Sequence, residues 1–248
     1  MRLEGKTAIV TGGASGFGAG IARKFVAEGA RVLIADLNGR AASAMAAEIG
    51  PMASSAVADV SSAGSVAALV ATATATLGRI DILVNNAGIG HKPQPLEALP
   101  EDEFDRLFAV NAKSVYLTAR HVVPLMKAAG GGVILNIAST AGVSPRPRLT
   151  WYNASKGWMI TATQSMAVEL APAKIRVNAI NPVAGETPLL KTFMGEDTPE
   201  MRARFLATIP IGRFSTPEDI GNAACFLCSD EASMVTGVAM LVDGGRCI

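Results

Sequence analysis

A tyrosine, a lysine and a serine are the residues of this chain best suited to acid–base chemistry. Tyr152 and Lys156 lie four residues apart in a segment of helical character, so their side chains share one helix face. A free phenol has a pKa of about 10, and a neighbouring ammonium favours the phenolate, which predicts a lowered pKa for Tyr152. Ser139, thirteen residues upstream, could hold an alcohol or carbonyl oxygen beside the phenol. This set predicts proton transfer to or from a substrate oxygen.

The Tyr-x-x-x-Lys spacing alone is only weak evidence for catalysis, because most such pairs are surface residues of a helix. A glycine-rich turn near the N-terminus strengthens the case for an enzyme. The turn follows a short apolar strand and precedes a helical pattern, and its candidate binding residues are Gly12, Ser15, Gly16, Phe17 and Gly18. Glycines let the backbone approach a pyrophosphate, and the new helix directs N–H groups and its positive dipole end toward an anion. Strand, turn and helix together predict a dinucleotide site.

A carboxylate at the end of the second predicted strand indicates which dinucleotide binds. Asp36 lies about 20 residues past the glycines, where such folds place a ribose-binding acid. A carboxylate accepts hydrogen bonds from ribose hydroxyls and repels a 2′-phosphate. Neither Leu37 nor Ser15 supplies the cation that a phosphate would need, and Arg40 is the only basic residue close by. The sequence therefore predicts NAD rather than NADP.

Strand-like and helix-like segments alternate along the chain, which predicts one α/β domain over residues 1–248. Its fold is expected to be a Rossmann-type, doubly wound parallel sheet of about seven strands with helices on both faces. Strands are predicted near 7–11, 31–35, 53–58, 80–85, 132–138, 174–180 and 238–242. Helices are predicted near 16–28, 39–49, 62–77, 101–128, 152–171 and 216–228. Pro124 should bend or break the fourth helix.

With these motifs in this order, the chain resembles the short-chain dehydrogenase/reductase family over essentially all of its 248 residues. The resemblance is carried by the glycine-rich turn and by four further motifs. These are Asp59-Val60, Asn85-Asn86-Ala87-Gly88, Asn111 in the fourth predicted helix, and Ser139 with the Tyr152/Lys156 pair. The family resemblance also implies a homotetramer packed through the helix that carries Tyr152 and the long helix before it.

The resemblance implies a role for each matching residue. Tyr152 would be the general acid/base, and Ser139 would position the substrate oxygen. Lys156 would lower the pKa of Tyr152 and hold the nicotinamide ribose, while Asn111 would hold a water that links Lys156 to solvent. Asp59 would bind the adenine edge. The remaining cofactor-binding candidates are Val60, Asn86, Ala87, Gly88, Pro182, Val183 and Thr187.

The sixth strand is followed by a departure from the family pattern. Val183 stands where the family usually has glycine after Pro182, and its side chain should narrow the cleft near the nicotinamide. Thr187 keeps its place and is expected to bond the carboxamide. Residues 187–210 form a natural lid segment with apolar side chains that could close over a substrate or pack on their own domain: Leu189, Leu190, Phe193, Met194, Met201 and Phe205.

The predicted function is that of an NAD-dependent oxidoreductase that interconverts a secondary alcohol and a ketone on a small-molecule substrate. One alternative is an NADPH-linked reductase of the 3-oxoacyl type. Another is a cofactor-binding regulator that has lost catalysis, but that class would need a damaged Ser-Tyr-Lys set, and here the set is complete. Several loop residues could contact an acidic substrate or a carrier phosphate, or could simply be solvated charges: His91, Lys92, Arg146 and Arg148. Trp151 could line the pocket or pack inside the protein.

Composition excludes several other classes of function. Acidic and basic residues are interspersed and the net charge is +1, so no nucleic-acid partner is predicted. No apolar run reaches the roughly 18 residues of a membrane span. The first strand begins almost at once, leaving no room for a signal peptide, and the expected compartment is the cytoplasm. Cys225 and Cys228 lie in an apolar helical run, which favours packed thiols over a metal or redox site.

Overall fold

The computed structural model describes residues 1–248 and contains one seven-stranded parallel sheet, with the strand order β3-β2-β1-β4-β5-β6-β7. The strands are β1 Thr7–Thr11, β2 Arg31–Asp36, β3 Ala53–Val57, β4 Ile82–Asn85, β5 Gly132–Ile137, β6 Ile175–Pro182 and β7 Ala239–Val242. Successive strands are added outward from β1 in one direction and then, from β4 onward, in the other. This is the predicted doubly wound order, and it creates a crevice at the carboxyl ends of β1 and β4.

Nine α-helices connect or flank these strands. They are α1 Gly16–Ala27, α2 Gly39–Ile49, α3 Ala63–Leu77, α4 Glu101–Phe108, α5 Ser114–Ala128, α6 Thr150–Leu170, α7 Pro188–Met194, α8 Pro199–Leu206 and α9 Pro217–Cys228. One apolar cluster joins the sheet to α1, α2 and α9, and a second joins its other face to α3, α5 and α6. Because both faces are covered, β1 and β4 are buried along their whole lengths.

The long helix predicted over residues 101–128 is interrupted, but not where the sequence suggested. α5 continues through Pro124 to Ala128. The interruption lies earlier, at a π-helical turn over Ala109–Lys113 that contains the fully buried Asn111. A π turn widens the helix by one residue and often marks a functional site. The predicted break at Pro124 is therefore wrong. The irregularity of the helix lies instead at Asn111, one of the predicted site residues.

Helices α1 and α9 approach closely at two glycines. A Cβ atom on Gly20 would overlap the backbone of Pro217, and one on Gly221 would lie 2.8 Å from the Gly20 carbonyl oxygen. Cys225 and Cys228 are buried free thiols of α9, which confirms their packing role. This contact holds the first turn of α1 beside the ends of β1 and β4. None of the helices has the length and apolar character needed to cross a membrane.

Candidate active site

A cavity of about 610 Å³ lies at the carboxyl ends of the strands. Most of the predicted site residues line it: Gly12, Ser15, Gly16, Phe17, Asp36, Leu37, Asp59, Val60, Asn86, Ala87, Gly88, Ser139, Tyr152, Lys156, Pro182, Val183 and Thr187. Gly18 and Asn111 lie behind its wall. Residues that are far apart in sequence meet here because parallel strands end at the same edge of the sheet.

The glycine-rich turn is held in a conformation that side chains would obstruct. Gly12 and Gly16 have φ angles of +61° and +52°, which favour glycine. A Cβ atom on Gly18 would overlap the Gly12 carbonyl oxygen. The Asn86 side chain donates hydrogen bonds of 2.9 Å to the carbonyl oxygens of Thr11 and Gly12. The turn is thus tied to the loop after β4 before any ligand binds.

The nucleotide end of the cavity fits a dinucleotide. Ser15 is the N-cap of α1 but makes no side-chain capping bond, so the first-turn N–H groups remain available to a phosphate. The Asp36 carboxylate accepts hydrogen bonds from the backbone N–H groups of Ala14 and Asn38, at 3.1 and 3.0 Å. These bonds aim the carboxylate into the crevice and leave further lone pairs for a ribose.

The part of the cavity beside Asp36 and Asp59 is acidic and lacks cations. Asp59 accepts hydrogen bonds from the hydroxyl and the backbone N–H of Ser61, at 2.6 and 2.9 Å, and these bonds lower its pKa. Leu37 is 70% exposed at the rim. Among the residues from 36 to 61 that line the cavity, none is a lysine or an arginine. A negatively charged group placed here would therefore meet carboxylates rather than a positive partner.

At the other end of the cavity, Ser139, Tyr152 and Lys156 converge. The ammonium nitrogen of Lys156 donates to the Ile137 carbonyl oxygen at 2.9 Å and lies 6.0 Å from the centre of the Tyr152 ring. The Tyr152 ring packs against Phe193, with ring centres 4.7 Å apart. The Ser139 hydroxyl lines the same cavity, and its effect is to lower the pKa of Tyr152. Tyr152 and Lys156 are both buried, so little water reaches the phenol or the ammonium.

Burial controls the protonation of this pair. Removal from water raises the pKa of Tyr152 to about 12, and the Ser139 hydroxyl and the Arg146 charge only partly oppose it. Burial also lowers the pKa of Lys156 to about 8. The predicted lowering of the Tyr152 pKa is therefore wrong for the protein alone. The physical reason is that burial removes the hydration of both charged forms, and for Tyr152 the opposing groups offset only part of this loss.

Asn111 is held by the π turn and fixes the loop after β4. Its amide nitrogen donates to the Ile89 carbonyl oxygen at 2.9 Å and to the Ser155 hydroxyl at 3.0 Å, and its oxygen accepts from the Ile89 N–H at 2.9 Å. A Cβ atom on Gly88 would lie 3.4 Å from both the Asn111 oxygen and the Lys156 nitrogen. The lack of a side chain at Gly88 leaves a gap between these polar groups. The role of Asn111 in holding a water there stays a prediction.

A buried polar network beneath the site was missed at the sequence level. Asn85, at the end of β4, donates to Asn136 of β5 at 2.9 Å and accepts from the Thr118 hydroxyl at 2.8 Å. Asn136 in turn donates to the Thr163 hydroxyl of α6 at 2.8 Å. Polar residues inside otherwise apolar strands are the signal that could have revealed it. The network ties α5 and α6 to the strand ends and so positions the helix that carries Tyr152 and Lys156.

Phe17 fits the glycine turn because residue 185 has no side chain. A Cβ atom on Gly185 would overlap the Phe17 ring. The sequence marked Phe17 as a modest apolar change, but it did not reveal this partner. The ring links the start of α1 to the loop that leads into the lid.

The lid segment contains α7 and α8. Some of its apolar side chains line the cavity, as a lid over a substrate would, and others pack against the rest of the domain. Four of its side chains line the cavity: Leu189, Leu190, Phe193 and Phe205. Met194 and Met201 instead pack in a small cluster that includes Val183, Ile209 and Phe214. Val183 belongs to this cluster and also lines the cavity, where it occupies space that a glycine would leave open.

Only one of the four loop candidates for acidic ligands reaches the cavity. Arg146 lines it, whereas Lys92 and Arg148 are exposed outside it and His91 is buried elsewhere. Trp151 does not line the cavity either. Its indole N–H donates to the Leu96 carbonyl oxygen at 2.9 Å, and its ring packs edge-on against Phe104. Packing, rather than pocket lining, is therefore the role of Trp151.

Comparison with known proteins shows that the chain is similar to dehydrogenases and reductases along nearly its whole length. A family model described as enoyl-(acyl carrier protein) reductase matches residues 12–246. The 4-formylbenzenesulfonate dehydrogenase of Comamonas testosteroni is 51% identical over 250 residues, and the match covers 99% of each protein. The 7alpha-hydroxysteroid dehydrogenase of Escherichia coli (strain K12) is 40% identical over 248 residues, covering 99% of this chain and 95% of that protein.

A solved structure of similar sequence has the same fold. The 3-ketoacyl-(acyl-carrier-protein) reductase from Brucella melitensis, complexed with NADH, superposes with a TM-score of 0.95 at 52% identity. The match covers 99% of this chain and 100% of that one. The similarity therefore includes the whole sheet and the lid.

The lowered pKa of Lys156 predicts how stability depends on pH. Its pKa falls from 10.5 in a free chain to about 8, so between these values the unfolded chain holds a proton that the native protein has lost. Stability then rises with pH. Between pH 8 and pH 10, wild type should gain about 2 kcal/mol in unfolding free energy over a Lys156→Met variant, as measured by urea denaturation. The exposed Lys113→Met variant is the control and should follow wild type. Parallel profiles for wild type and Lys156→Met would contradict the assignment.

Proposed function

Because the chain belongs to the short-chain dehydrogenase/reductase family, we propose that it is an NAD-dependent oxidoreductase that interconverts a secondary alcohol and the corresponding ketone. One observation carries this proposal. Ser139, Tyr152 and Lys156 line the same cavity as the glycine-rich turn and Asp36. A proton carrier and a dinucleotide site that share one cavity are the two requirements of alcohol oxidation.

The proposed chemistry divides between these side chains. Bound NAD supplies the hydride acceptor for oxidation, and NADH the hydride donor for reduction. The phenolate of Tyr152 takes the hydroxyl proton as the alcohol carbon loses hydride and its C–O bond becomes C=O; reduction is the reverse. The Ser139 hydroxyl donates to the substrate oxygen, where negative charge develops. The Lys156 charge, 6.0 Å from the Tyr152 ring, favours the phenolate against the cost of burial.

The nucleotide end supports NAD over NADP. Asp36 and Asp59 would repel a 2′-phosphate, and no cation lines this part of the cavity to offset the repulsion. The Brucella melitensis relative was solved with NADH, which agrees with this preference. Reduction of a 3-oxoacyl substrate with NADPH is the alternative. The names of that relative and of the matching family favour the acyl substrate, but Asp36 disfavours the phosphorylated cofactor.

The substrate end of the cavity favours a compact substrate with an apolar core. Its walls include Leu149, Leu189, Phe193 and Phe205. The name of the Comamonas testosteroni relative describes a benzene ring with a formyl and a sulfonate group. An aromatic alcohol or carbonyl compound is the substrate type that these walls and that relative support.

Replacement of Tyr152 by Phe tests the acid–base assignment. Loss of the proton carrier should lower kcat by about 10²–10⁴-fold on any alcohol that the wild type oxidises with NAD. A suitable alcohol would come from a screen of polyols, sugars, hydroxy acids, steroids, cyclic and aryl alcohols. NADH binding, followed by fluorescence, should stay near normal. Tyr116→Phe is the matched control, since Tyr116 is the only other tyrosine and does not line the cavity. Activity that survives in Tyr152→Phe would exclude Tyr152 as the proton carrier.

Cofactor choice is tested by comparing kcat/KM for NADH and NADPH. Wild type should prefer NADH by at least roughly 100-fold, because like charges brought together cost several kcal/mol. Asp36→Ala should lower the preference for NADH by roughly tenfold or more. The exposed Asp102→Ala is the control and should leave the preference unchanged. Wild-type preference for NADPH would end the proposal for NAD.

We further propose that the enzyme is a homotetramer packed through α5 and α6. Large apolar side chains on these helices are exposed in the single chain, among them Tyr116 at 52%, Trp158 at 41% and Val168 at 80%. Light scattering should give a mass near four times the chain mass of 25.5 kDa. Val168→Glu should lower that mass, because a carboxylate would be buried at the contact. A monomeric wild type would contradict the assembly.

A further inference from the structure

Arg146 brings an unpaired positive charge to the substrate end of the cavity. It lies on the loop between β5 and α6 and lines the cavity with Tyr152 and Phe205. Its guanidinium carbon stacks 4.5 Å from the centre of the Phe205 ring. One terminal guanidinium nitrogen, Nη2, is buried and has no hydrogen-bond partner. No carboxylate forms an ion pair with Arg146, although seven other ion pairs occur in the protein. A partly buried charge with a buried, unpaired nitrogen is less costly when an anion meets it.

A second arginine adds to the positive potential. Arg246 donates from Nη1 to the Ser144 hydroxyl at 3.3 Å, and its buried Nε has no partner. Burial and, after it, the Arg246 charge both lower the pKa of Arg146. The nearby carboxylate of Asp243 accepts hydrogen bonds from the backbone N–H groups of Gly245 and Cys247. Asp243 forms no ion pair with either arginine.

The loop that carries Arg146 is tied to the catalytic helix. Asn153, the residue after Tyr152, donates to the Arg146 carbonyl oxygen at 2.8 Å. The Gln94 N–H donates to the Arg148 carbonyl oxygen at 3.0 Å. The Arg146 charge also opposes the effect of burial on the pKa of Tyr152, as expected for a nearby cation. The guanidinium is therefore held in a defined position relative to the phenol.

We propose that Arg146 binds an anionic group, a carboxylate or sulfonate, that the substrate itself carries. The substrate is then an anionic alcohol or carbonyl compound, and Arg146 determines specificity. This inference rests on the proposed function, because it assigns a substrate class to the same cavity. The phosphates of a dinucleotide would bind at the glycine-rich turn, at the opposite end of the cavity. A solvated loop charge would instead resemble Arg148, which is exposed.

A binding experiment tests the inference without turnover. The wild-type complex with NADH is titrated calorimetrically with benzenesulfonate and with its neutral analogue benzenesulfonamide. Wild type should bind the sulfonate more tightly. Arg146→Met should lose roughly 30-fold or more of that affinity, the loss typical of a buried charge pair that loses one partner, and should change sulfonamide binding less than threefold. Arg146→Lys, which keeps the charge, should be intermediate. The matched control Arg148→Met should equal wild type.

A turnover experiment uses the same variants. Oxidation of 4-(1-hydroxyethyl)benzoate is compared with that of neutral 1-(4-methylphenyl)ethanol, and reduction of acetoacetyl-CoA is measured beside them. Arg146→Met should raise KM for the benzoate and leave the neutral alcohol near wild type. A loss confined to acetoacetyl-CoA would overturn the inference in favour of a carrier phosphate.

The outcomes separate the two proposals. Arg146-dependent sulfonate binding with no oxidation of any alcohol would support the anion site and reject the proposed reaction. Oxidation of alcohols with sulfonate binding unaffected in Arg146→Met would support the reaction and overturn the anion site. Failure of the wild type to bind benzenesulfonate would also overturn it. Normal NADH affinity and melting temperature show that Arg146→Met is folded.

Discussion

The removal of Tyr152 and Lys156 from water is the constraint on which the rest of the site depends. Burial raises the pKa of the phenol and lowers that of the ammonium, so it disfavours both charged forms. A phenol in this state is a poor base until other charges act on it. The Ser139 hydroxyl and the Arg146 guanidinium already act in the opposite direction to burial. The protein therefore supplies a buried phenol and a buried ammonium whose acid–base balance depends on a few polar groups and on what binds beside them.

Rigid connections keep those groups in place. Asn86 ties the glycine-rich turn to the loop after β4, and Asn111 ties that loop to α6. Beneath them, Asn85 and Asn136 link the strand ends to α5 and α6. Buried amides of this kind are stable only when their hydrogen bonds are satisfied, so each also specifies the position of its partner. The nucleotide end and the phenol end are thus parts of one connected framework.

The lid and the loop before α6 give the substrate end its character. Phe193 covers the Tyr152 ring, and Phe205 stacks on Arg146. The same region is thus apolar enough to exclude water and positively charged enough to attract an anion. An anion in such a pocket would replace the hydration that the guanidinium has lost. In the proposed reaction, the lid and the loop, rather than the sheet, would recognise the shape and charge of the substrate.

Local sequence determined the order of the seven strands and of six helical segments, the glycine-rich turn and many residues of the cavity, because these depend on periodicity, backbone freedom and strand ends. The two short lid helices, α7 and α8, were not predicted. Resemblance to a family added the expected roles. Tertiary structure alone decided the sign of the Tyr152 pKa shift, the position of the π turn, the packing of Trp151 and the choice of Arg146 over Lys92 and Arg148. Each of these depends on which side chains share a space and how much water reaches them. Desolvation is a property of the assembled fold, and no spacing along the chain contains it.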